Sequence, residues 1–440
     1  MFVAKYSRQQ EQLQQFLERR VQELSRATGF VQRNRKLSGV VFVQALVLSW
    51  LERPTASLNE VRQSCAEMGV KVSESGLQQR MNDKAVNVLR SLFQEGLAHL
   101  PKKRQVPAEV LRHFTAVYLL DSTTLTLPEQ LKGVFAGVGG NASAAAVKIR
   151  LSFDYLRGSL EACEVVGGRE ADQNCQQHVA LAQAGSLHVF DLGFFKQQVF
   201  EALANAQAYF ISRLQSQTAL YKLSHPDQAC NLEILLPESL DTPVDIEVAL
   251  GRLTRLPVRL IAQKLPTTVV AERRRKAKRQ AAKHGQTCSA RHLHLLGWSL
   301  FITNIPRDWL DARQVMLVYR VRWQIELVFK LWKSQAHLDV VGQCGPHRFL
   351  CQLYARLLGI LLFQWMLVDV PFDPTCEPSF PKAFAILQRY AARLRAALSS
   401  QTFPLTALLE QLNGDFLRFA LKQKRKKSPS TLARLLAAGA

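Results

Sequence analysis

The sequence predicts an α/β protein: a hairpin-rich α/β unit interrupted by a β-rich insertion, with an all-helical head before it and a helical tail after it. Three observations carry that expectation. Residues 1–110 hold paired helix-start and helix-stop signals. From Thr115 the texture changes to short apolar runs with period-two alternation. From Asp311 apolar residues return at helical spacing. The chain has 440 residues, too many for one ordinary core. We divide it into a head (1–110), an α/β unit in two parts (111–215 and 298–365) around the insertion (216–297), and a tail (366–440).

In the head, Gln9–Ser25 is polar and helix-prone, and Val40–Leu51 is an apolar run that Pro54 stops. Ser57-Leu-Asn-Glu60 is a capping box: the Ser57 hydroxyl accepts from the backbone N–H three residues on, and Glu60 reaches back. The helix it starts ends near Gly69. A second begins at Ser73 and carries Leu77, Gln78, Gln79 and Arg80. Helix, short glycine-containing turn and helix with exposed Gln and Arg resembles a helix-turn-helix. Many helical pairs share this pattern, so it also fits a plain helical hairpin.

In the α/β unit, TAVYLLDSTTL is an apolar strand ending in Asp121 and hydroxyl residues. VKIRLSFDYLRGSLEACEVVGG alternates as a hairpin that turns near Arg157-Gly158. A helix follows Asp172. LHVFDLGF is a short strand ending in Asp191, followed by a helix and the strand AYFISRL. In the insertion, TALYKL, LEILL, DIEVAL and RLPVRLIAQKL read as short strands. Arg273–Lys283 then holds seven cations, and LLGWSLFITNIP is a further strand. Asp311–Ser334 reads as one long helix. The remainder is helical, with the basic run Lys422–Lys427.

Lys plus Arg is 57 against 35 Asp plus Glu, a formal charge of +22. A chain this basic meets a polyanion. Nucleic acid is the leading class and an anionic membrane surface the rival. No run reaches the ~18 consecutive apolar residues of a membrane helix. The longest candidate, Leu357–Val370, is interrupted by Gln364 and follows Arg356, so it reads as a buried helix. The first ten residues hold no apolar signal core, and the expected place is the cytoplasm. The eight cysteines form no CxxC pair, which argues against a zinc ribbon and for reduced thiols. His292 and His294 alternate on an expected strand without a third ligand and read as structural or solvent-facing.

Three acids have the placing that metal-assisted phosphoryl transfer requires. That chemistry needs an activated oxygen nucleophile and charge neutralisation at phosphorus, and two divalent ions about 3.5–4 Å apart supply both. Mg²⁺ keeps several waters, so a few carboxylates from separate elements suffice. Asp121 and Asp191 each follow two apolar residues at an expected strand end. Acids at strand ends also serve as ordinary loop caps. In YRVRWQIELVFKLWKS, Tyr319, Arg322, Glu326, Lys330 and Lys333 recur every three or four residues and share one helical face. Val321, Ile325, Val328, Phe329 and Trp332 fall largely on other faces and pack inward. The polar face fits an acid framed by phosphate-gripping groups. It also fits a solvated face with Arg322–Glu326 and Glu326–Lys330 ion pairs.

The spacing Tyr, two residues, Arg, three residues, Glu, six residues, Lys resembles the signature of the insertion-sequence-4 family of cut-and-paste transposases. LLDSTTL looks like that family's first-Asp strand and FDLGFF its second. The Gly167-Gly-Arg-Glu-Ala-Asp172 turn and a β-rich insertion before the Glu helix also fit. The resemblance covers about 110–365 well, the head loosely and the tail hardly at all. It implies a ribonuclease-H-like core in which Asp121, Asp191 and Glu326 are catalytic and bind two Mg²⁺ ions, with Mn²⁺ able to substitute. It implies that Tyr319, Arg322 and Lys333 grip phosphates, with Lys330 on the same face. It gives Trp298 as a base-stacking candidate, for which a core tryptophan is the other reading. The family's reaction runs through hydrolysis, a DNA hairpin and insertion into target DNA. The implied partners are double-stranded DNA (terminal inverted repeats and target) and a second copy of the chain in a synaptic complex, in a bacterial, nucleoid-associated setting.

Further residues divide the same way. Arg273, Arg274, Arg275, Lys276, Lys278 and Arg279 are candidates for contact with the DNA backbone, where each neutralised phosphate releases counterions; a solvated loop is the alternative. Lys422–Lys427 is a second contact or a solvated end. Asp154 is a strand acid with Arg150 or Arg157 as its partner and stays outside the site. Glu170 and Asp172 read as turn and helix-start residues. Two other functions share these features: a DNA nuclease of the same fold that cuts without joining, and an inactive DNA-binding regulator of transposition.

Overall fold

The computed structural model describes residues 2–33, 36–101, 106–139, 143–225, 227–239, 242–373, 376–399, 404–423 and 429–438. The head is helical throughout. Helix α1 (Phe2–Gln14) runs through a wide π-helical turn into α2 (Val21–Ala27). Helix α3 (Gly39–Glu52) is capped by the Ser38 hydroxyl and buried around most of its circumference. The Ser57–Glu60 capping box forms and starts α4 (Leu58–Glu67); Gly69, at φ 78°, turns the chain, and Ser73 caps α5 (Glu74–Arg80). Leu77 is buried while Gln78 and Gln79 are exposed, but Arg80 folds back over the Phe30 ring and donates to the Phe30 carbonyl. Helix α6 (Asp83–Ala98) closes the head.

The sheet begins with β1 (Ala116–Leu127), β2 (Ala136–Gly139), β3 (Ser143–Asp154) and β4 (Ser159–Gly167). After a short α7 (Gln177–Ala180) come β5 (Ser186–Phe190), α8 (Gln197–Asn205) and β6 (Tyr209–Arg213). The insertion supplies β7 (Leu220–Lys222), α9 (Leu232–Leu235), β8 (Val244–Leu250), β9 (Leu256–Lys264), α10 (Thr267–Lys283) and α11 (Ala290–Leu295). Strand β10 (Trp298–Thr303) follows. All ten strands form one sheet in the order β2-β3-β1-β5-β6-β10-β9-β8-β7, with β4 beside β3. Among the described residues only β1, β5 and β6 pair in parallel.

Two expectations fail in the insertion. LEILL forms α9, and the segment bearing His292 and His294 forms α11, not strands. Asn231 and Ser289 hydroxyl or amide oxygens cap their first backbone N–H groups, and capping outweighs the apolar run over so few residues. The insertion is also no separate β unit: β9 pairs with β10, so its strands extend the sheet of the α/β unit.

The second part of the α/β unit goes on to α12 (Ala312–Tyr319), α13 (Trp323–Ser334) and α14 (Pro346–Val368), whose end reaches into the tail; the tail adds α15 (Phe380–Ser399), α16 (Leu405–Phe419) and α17 (Thr431–Ala437). Helix α14 is long and apolar enough to cross a membrane, yet 89% of that stretch is buried inside the protein. It packs on α3 and α6, and α15 and α16 pack on α3 and α1. Head and tail, separate in the sequence division, therefore share one hydrophobic core. An all-round apolar helix such as α3 needs cover on every side, and α14 and α15 supply it. Gly96 permits the approach of α6, since a Cβ there would lie 2.3 Å from Leu361. Arg356 is buried in α14 and donates to the carbonyls of His337, Val340 and Pro54, tying head, site helix and tail together.

Candidate active site

Alternation along the central strands aims the acids. Leu119 and Val189 face the larger core on β1 and β5, so Asp121 and Asp191, two residues on, face the same side. Asp121 does not end its strand. β1 continues to Leu127, paired with β3 through Asp121↔Leu151 and beyond. What ends near Asp121 is the parallel pairing with β5, whose last partners are Leu119 and Val189. Both acids thus lie where β1 and β5 part. Asp191 leaves β5 and opens a 3₁₀ turn, Leu192–Phe194.

The expected single helix Asp311–Ser334 is broken. Asp311 and Gln314 form a capping box that starts α12, and a 3₁₀ turn at Arg320–Arg322 separates it from α13. The apolar face behaves as expected: Val321, Ile325, Val328, Phe329 and Trp332 are buried, each such side chain contributing about 1.5–3 kcal/mol. Against that backing Arg322 spans two acids. Its Nη2 donates to Glu326 Oε1 at 2.6 Å and its Nη1 to Asp121 Oδ2 at 3.4 Å. Asp121 Oδ1 also accepts the Ser122 N–H at 2.8 Å. An open cleft of 590 Å³ lies here, lined by Asp121, Glu326, Lys330, Lys333 and Asp339 among others. Asp191 is not in its lining.

Charge links the three acids. Burial pushes Asp121 up to about 6, the Ser122 N–H and Arg322 oppose that, and the charges of Asp191 and Glu326 add to it. Burial works against the Arg322 charge, but Glu326 and Asp191 outweigh it and raise its pKa. The guanidinium thus bonds two of the carboxylates, and the charge of Asp191 acts on it without a direct contact. Among the described residues no three His, Cys, Asp or Glu side chains are close enough together to hold an ion as they stand. The donor set is nonetheless all carboxylate oxygen, the chemistry of a hard divalent ion, and Arg322 occupies the space between two of its members.

The other residues of the signature divide. Lys330 is exposed on the cleft, and Lys333 reaches the Thr124 carbonyl at 3.4 Å. The Glu326–Lys330 pair is not formed among the described residues; Arg322 takes Glu326 instead. Tyr319 is not on an open face. Its ring packs on Phe301 at 4.8 Å, and its buried hydroxyl is pushed up to about 12 by burial, with Asp191 adding to the rise. Trp298 is only 4% exposed and sits in the smaller core with Leu300 and Ile302, so its ring is a core residue with no free face for a base.

The basic stretch is α10, a helix with no buried residue. Its cations are not equivalent. Arg273 donates to the Trp298 carbonyl, Arg274 to the Leu293 carbonyl and Glu238, and Lys276 pairs with Glu272. Arg275, Lys278 and Arg279 are exposed. Of the Lys422–Lys427 run, residues 424–427 lie outside the described residues; Lys422 pairs with Glu377. Asp154 takes Arg157, at 2.5 Å, and not Arg150.

Two arrangements were not read from the sequence. Arg150, almost fully buried on β3, holds Glu170 and the Ala171 carbonyl, and Lys148 holds Asp172 and the Glu170 carbonyl. This pins the Gly167–Asp172 turn, whose Asp172 lies beside Gly193 in the turn after Asp191. The signal was available: Lys148, Arg150 and Ser152 alternate on one face of the strand. The second is a buried imidazole pair, His178 of α7 and His188 of β5, with Nδ1 atoms 3.1 Å apart. Burial lowers both, His188 to about 3. No spacing in the sequence announces that contact.

Comparison with known proteins gives the family. Residues 112–362 match the model of the transposase DDE domain, a family that acts on DNA with divalent metal ions. The match spans the strands of both aspartates and the helix of Glu326. The chain is 28% identical to the transposase for insertion sequence element IS231B of Bacillus thuringiensis subsp. berliner, over 89% of this chain and 87% of the relative. It is 26% identical to the transposase for IS1151 of Clostridium perfringens, over 94% and 93%. A putative transposase of IS186A from Escherichia coli K12 shares 37% identity over 24% of this chain and 29% of its own. The chain belongs to the transposase DDE domain family, and it is an enzyme of DNA cleavage and strand transfer.

Proposed function

We propose that Asp121, Asp191 and Glu326 are the acids of this reaction, that together they hold two Mg²⁺ ions, replaceable by Mn²⁺, and that the chain moves an insertion sequence by the route of the insertion-sequence-4 family. The observation that carries this is that Arg322 joins Asp121 and Glu326, far apart in the chain, beside a cleft, with Asp191 near enough for its charge to act on both Asp121 and Arg322. When bound, the ions supply a hydroxide-like nucleophile and neutralise charge at phosphorus.

The chain's own residues do the rest. Arg322 releases Asp121 and Glu326 and turns its planar fork to a phosphate, the geometry in which guanidinium is strongest. Lys330 and Lys333 hold the adjacent backbone as point charges. Tyr319 acts from beneath, where its buried hydroxyl props Arg322. In this reading water first frees a 3′ hydroxyl at the element's terminal repeat. That hydroxyl attacks the opposite strand to form a hairpin, and after reopening it attacks target DNA. The exposed cations of α10, Arg275, Lys278 and Arg279, contact the DNA backbone, and two copies of the chain pair the two ends on the bacterial nucleoid.

Nicking of terminal-repeat DNA tests the assignment. Asp121→Ala or Glu326→Ala removes metal-dependent nicking and leaves duplex binding within about twofold, an energy below ~0.5 kcal/mol. Normal cutting by both variants would remove the proposal. Strand joining to a target plasmid separates a transposase from a nuclease of the same fold.

A further inference from the structure

A second cationic surface stands apart from the cleft and from α10. Residues Arg313, Met316, Leu317 and Arg320 recur every three or four positions and form one face of α12 and the turn after it. By helical spacing this face points well away from the one carrying Arg322 and Glu326. Gln263 of β9 borders it on one side and Arg434 of α17 on another. Together these residues line a groove of 430 Å³.

Its charge is unbalanced. Among the described residues none of the three arginines lies within ion-pair distance of a carboxylate; Arg434 donates only to the Pro429 carbonyl, at 3.4 Å. Several other arginines that bridge elements are taken up by acids: Arg395 by Glu52 and Glu67, Arg259 and Arg307 by Asp245, Arg322 by Asp121 and Glu326. Three guanidiniums brought to one groove from two helices and a turn repel one another unless an anion enters. The floor between them, Met316 and Leu317, is apolar and half-buried, the surface on which a deoxyribose rests.

We propose that this groove binds the phosphodiester backbone of duplex DNA, at a segment other than the one cut. Arg313 and Arg320 grip phosphates from the side of α12, and Arg434 closes the groove from α17. DNA held there is linked mechanically to the active site, because Arg320 and Arg322 belong to the same turn. The enzyme acts on both its own ends and a target, so a second duplex segment has a place in its reaction.

The test is a salt series on the full chain with a fluorescein-labelled duplex of arbitrary sequence, read by anisotropy. Arg313→Gln with Arg320→Gln should weaken binding about tenfold near physiological salt and lower the slope of log K against log salt by about 2. Arg313→Lys with Arg320→Lys should restore both, since point charges also release counterions. Independently, Gln263→Cys bearing a photo-cross-linker should become attached to the duplex, and excess unlabelled duplex should suppress this. An unchanged slope in the Gln variant overturns the proposal, as does absence of the cross-link. A groove that instead seats a second copy of the chain would leave the slope intact and reduce the sedimenting mass of the Gln variant; that result also overturns it.

Discussion

Helix α10 and the helical pair α12–α13 are both rich in cations, yet they use them differently. On α10 the charge is dense in sequence and lies open to solvent, with Arg275, Lys278 and Arg279 exposed. In the turn between α12 and α13 the key cation, Arg322, is one residue held between acids from two elements. On the proposed assignment, linear density marks where a polyanion is met, while chemistry is marked by a cation that tertiary structure places against carboxylates. The first kind of charge acts additively and is screened by salt. The second acts in a partly desolvated site and is sensitive to a single atom.

The largest expected effect lies on the second side. Arg322→Ala leaves Asp121 and Glu326 without their shared partner, and single-turnover nicking should fall at least about a hundredfold, on the scale of losing one charge-stabilising donor. Arg322→Lys should recover only part of it, because a point charge cannot bridge both acids. If Lys recovers full activity, the bridge is not what matters.

Stability against pH sharpens the same contrast. Asp121 is raised to about 6 from an ordinary 3.8, so its protonated form is favoured in the folded chain. The stability it contributes is present at low pH and is lost as pH rises through 6. Asp121→Asn should therefore be more stable than the parent at pH 8 by about 2–3 kcal/mol, and the gap should close as pH falls below 6. The buried imidazoles act the other way. His178 and His188 are held neutral, so they cost stability as pH falls below about 6.5 in both proteins. The difference between variant and parent cancels them. Thermal melts from pH 4 to 8 would measure it, and a pH-independent gap would contradict the placement of Asp121.

On the α10 side effects should be smaller and uniform. Arg275→Gln, Lys278→Gln and Arg279→Gln together should lower the salt slope of DNA binding by about 3 and leave cleavage at saturating DNA unchanged. Arg273→Gln and Arg274→Gln should change the slope least, since those side chains already donate to the Trp298 and Leu293 carbonyls. A loss shared equally by all five would mean that the run acts by density alone.

How much of this was legible in the sequence depends on the range over which each feature is decided. The Ser57 capping box, the Arg157-Gly158 hairpin and the strand before Asp191 are set by neighbours within a few residues and formed as expected, whereas the strand of Asp121 runs on to Leu127 because β3 pairs along its whole length. The face of Arg322, Glu326 and Lys333 was readable from helical spacing, although the 3₁₀ turn before it was not. Long-range packing was hidden. Trp298 and Tyr319 look like exposed aromatics until β10 enters the sheet and α12 covers Phe301. LEILL and the His292–His294 segment are too short for alternation to outweigh a capping side chain. The union of head and tail depends on α14, which reads only as an apolar run until both partners are present.

The central claim is that Asp121, Asp191 and Glu326 hold divalent ions where DNA is cut. Electron paramagnetic resonance of Mn²⁺ titrated into the protein–duplex complex measures bound ions without requiring turnover. The account predicts tightly bound Mn²⁺ in the parent and its loss, with DNA binding retained, in Asp121→Asn, Asp191→Asn and Glu326→Gln. Parental Mn²⁺ binding in all three variants would contradict it.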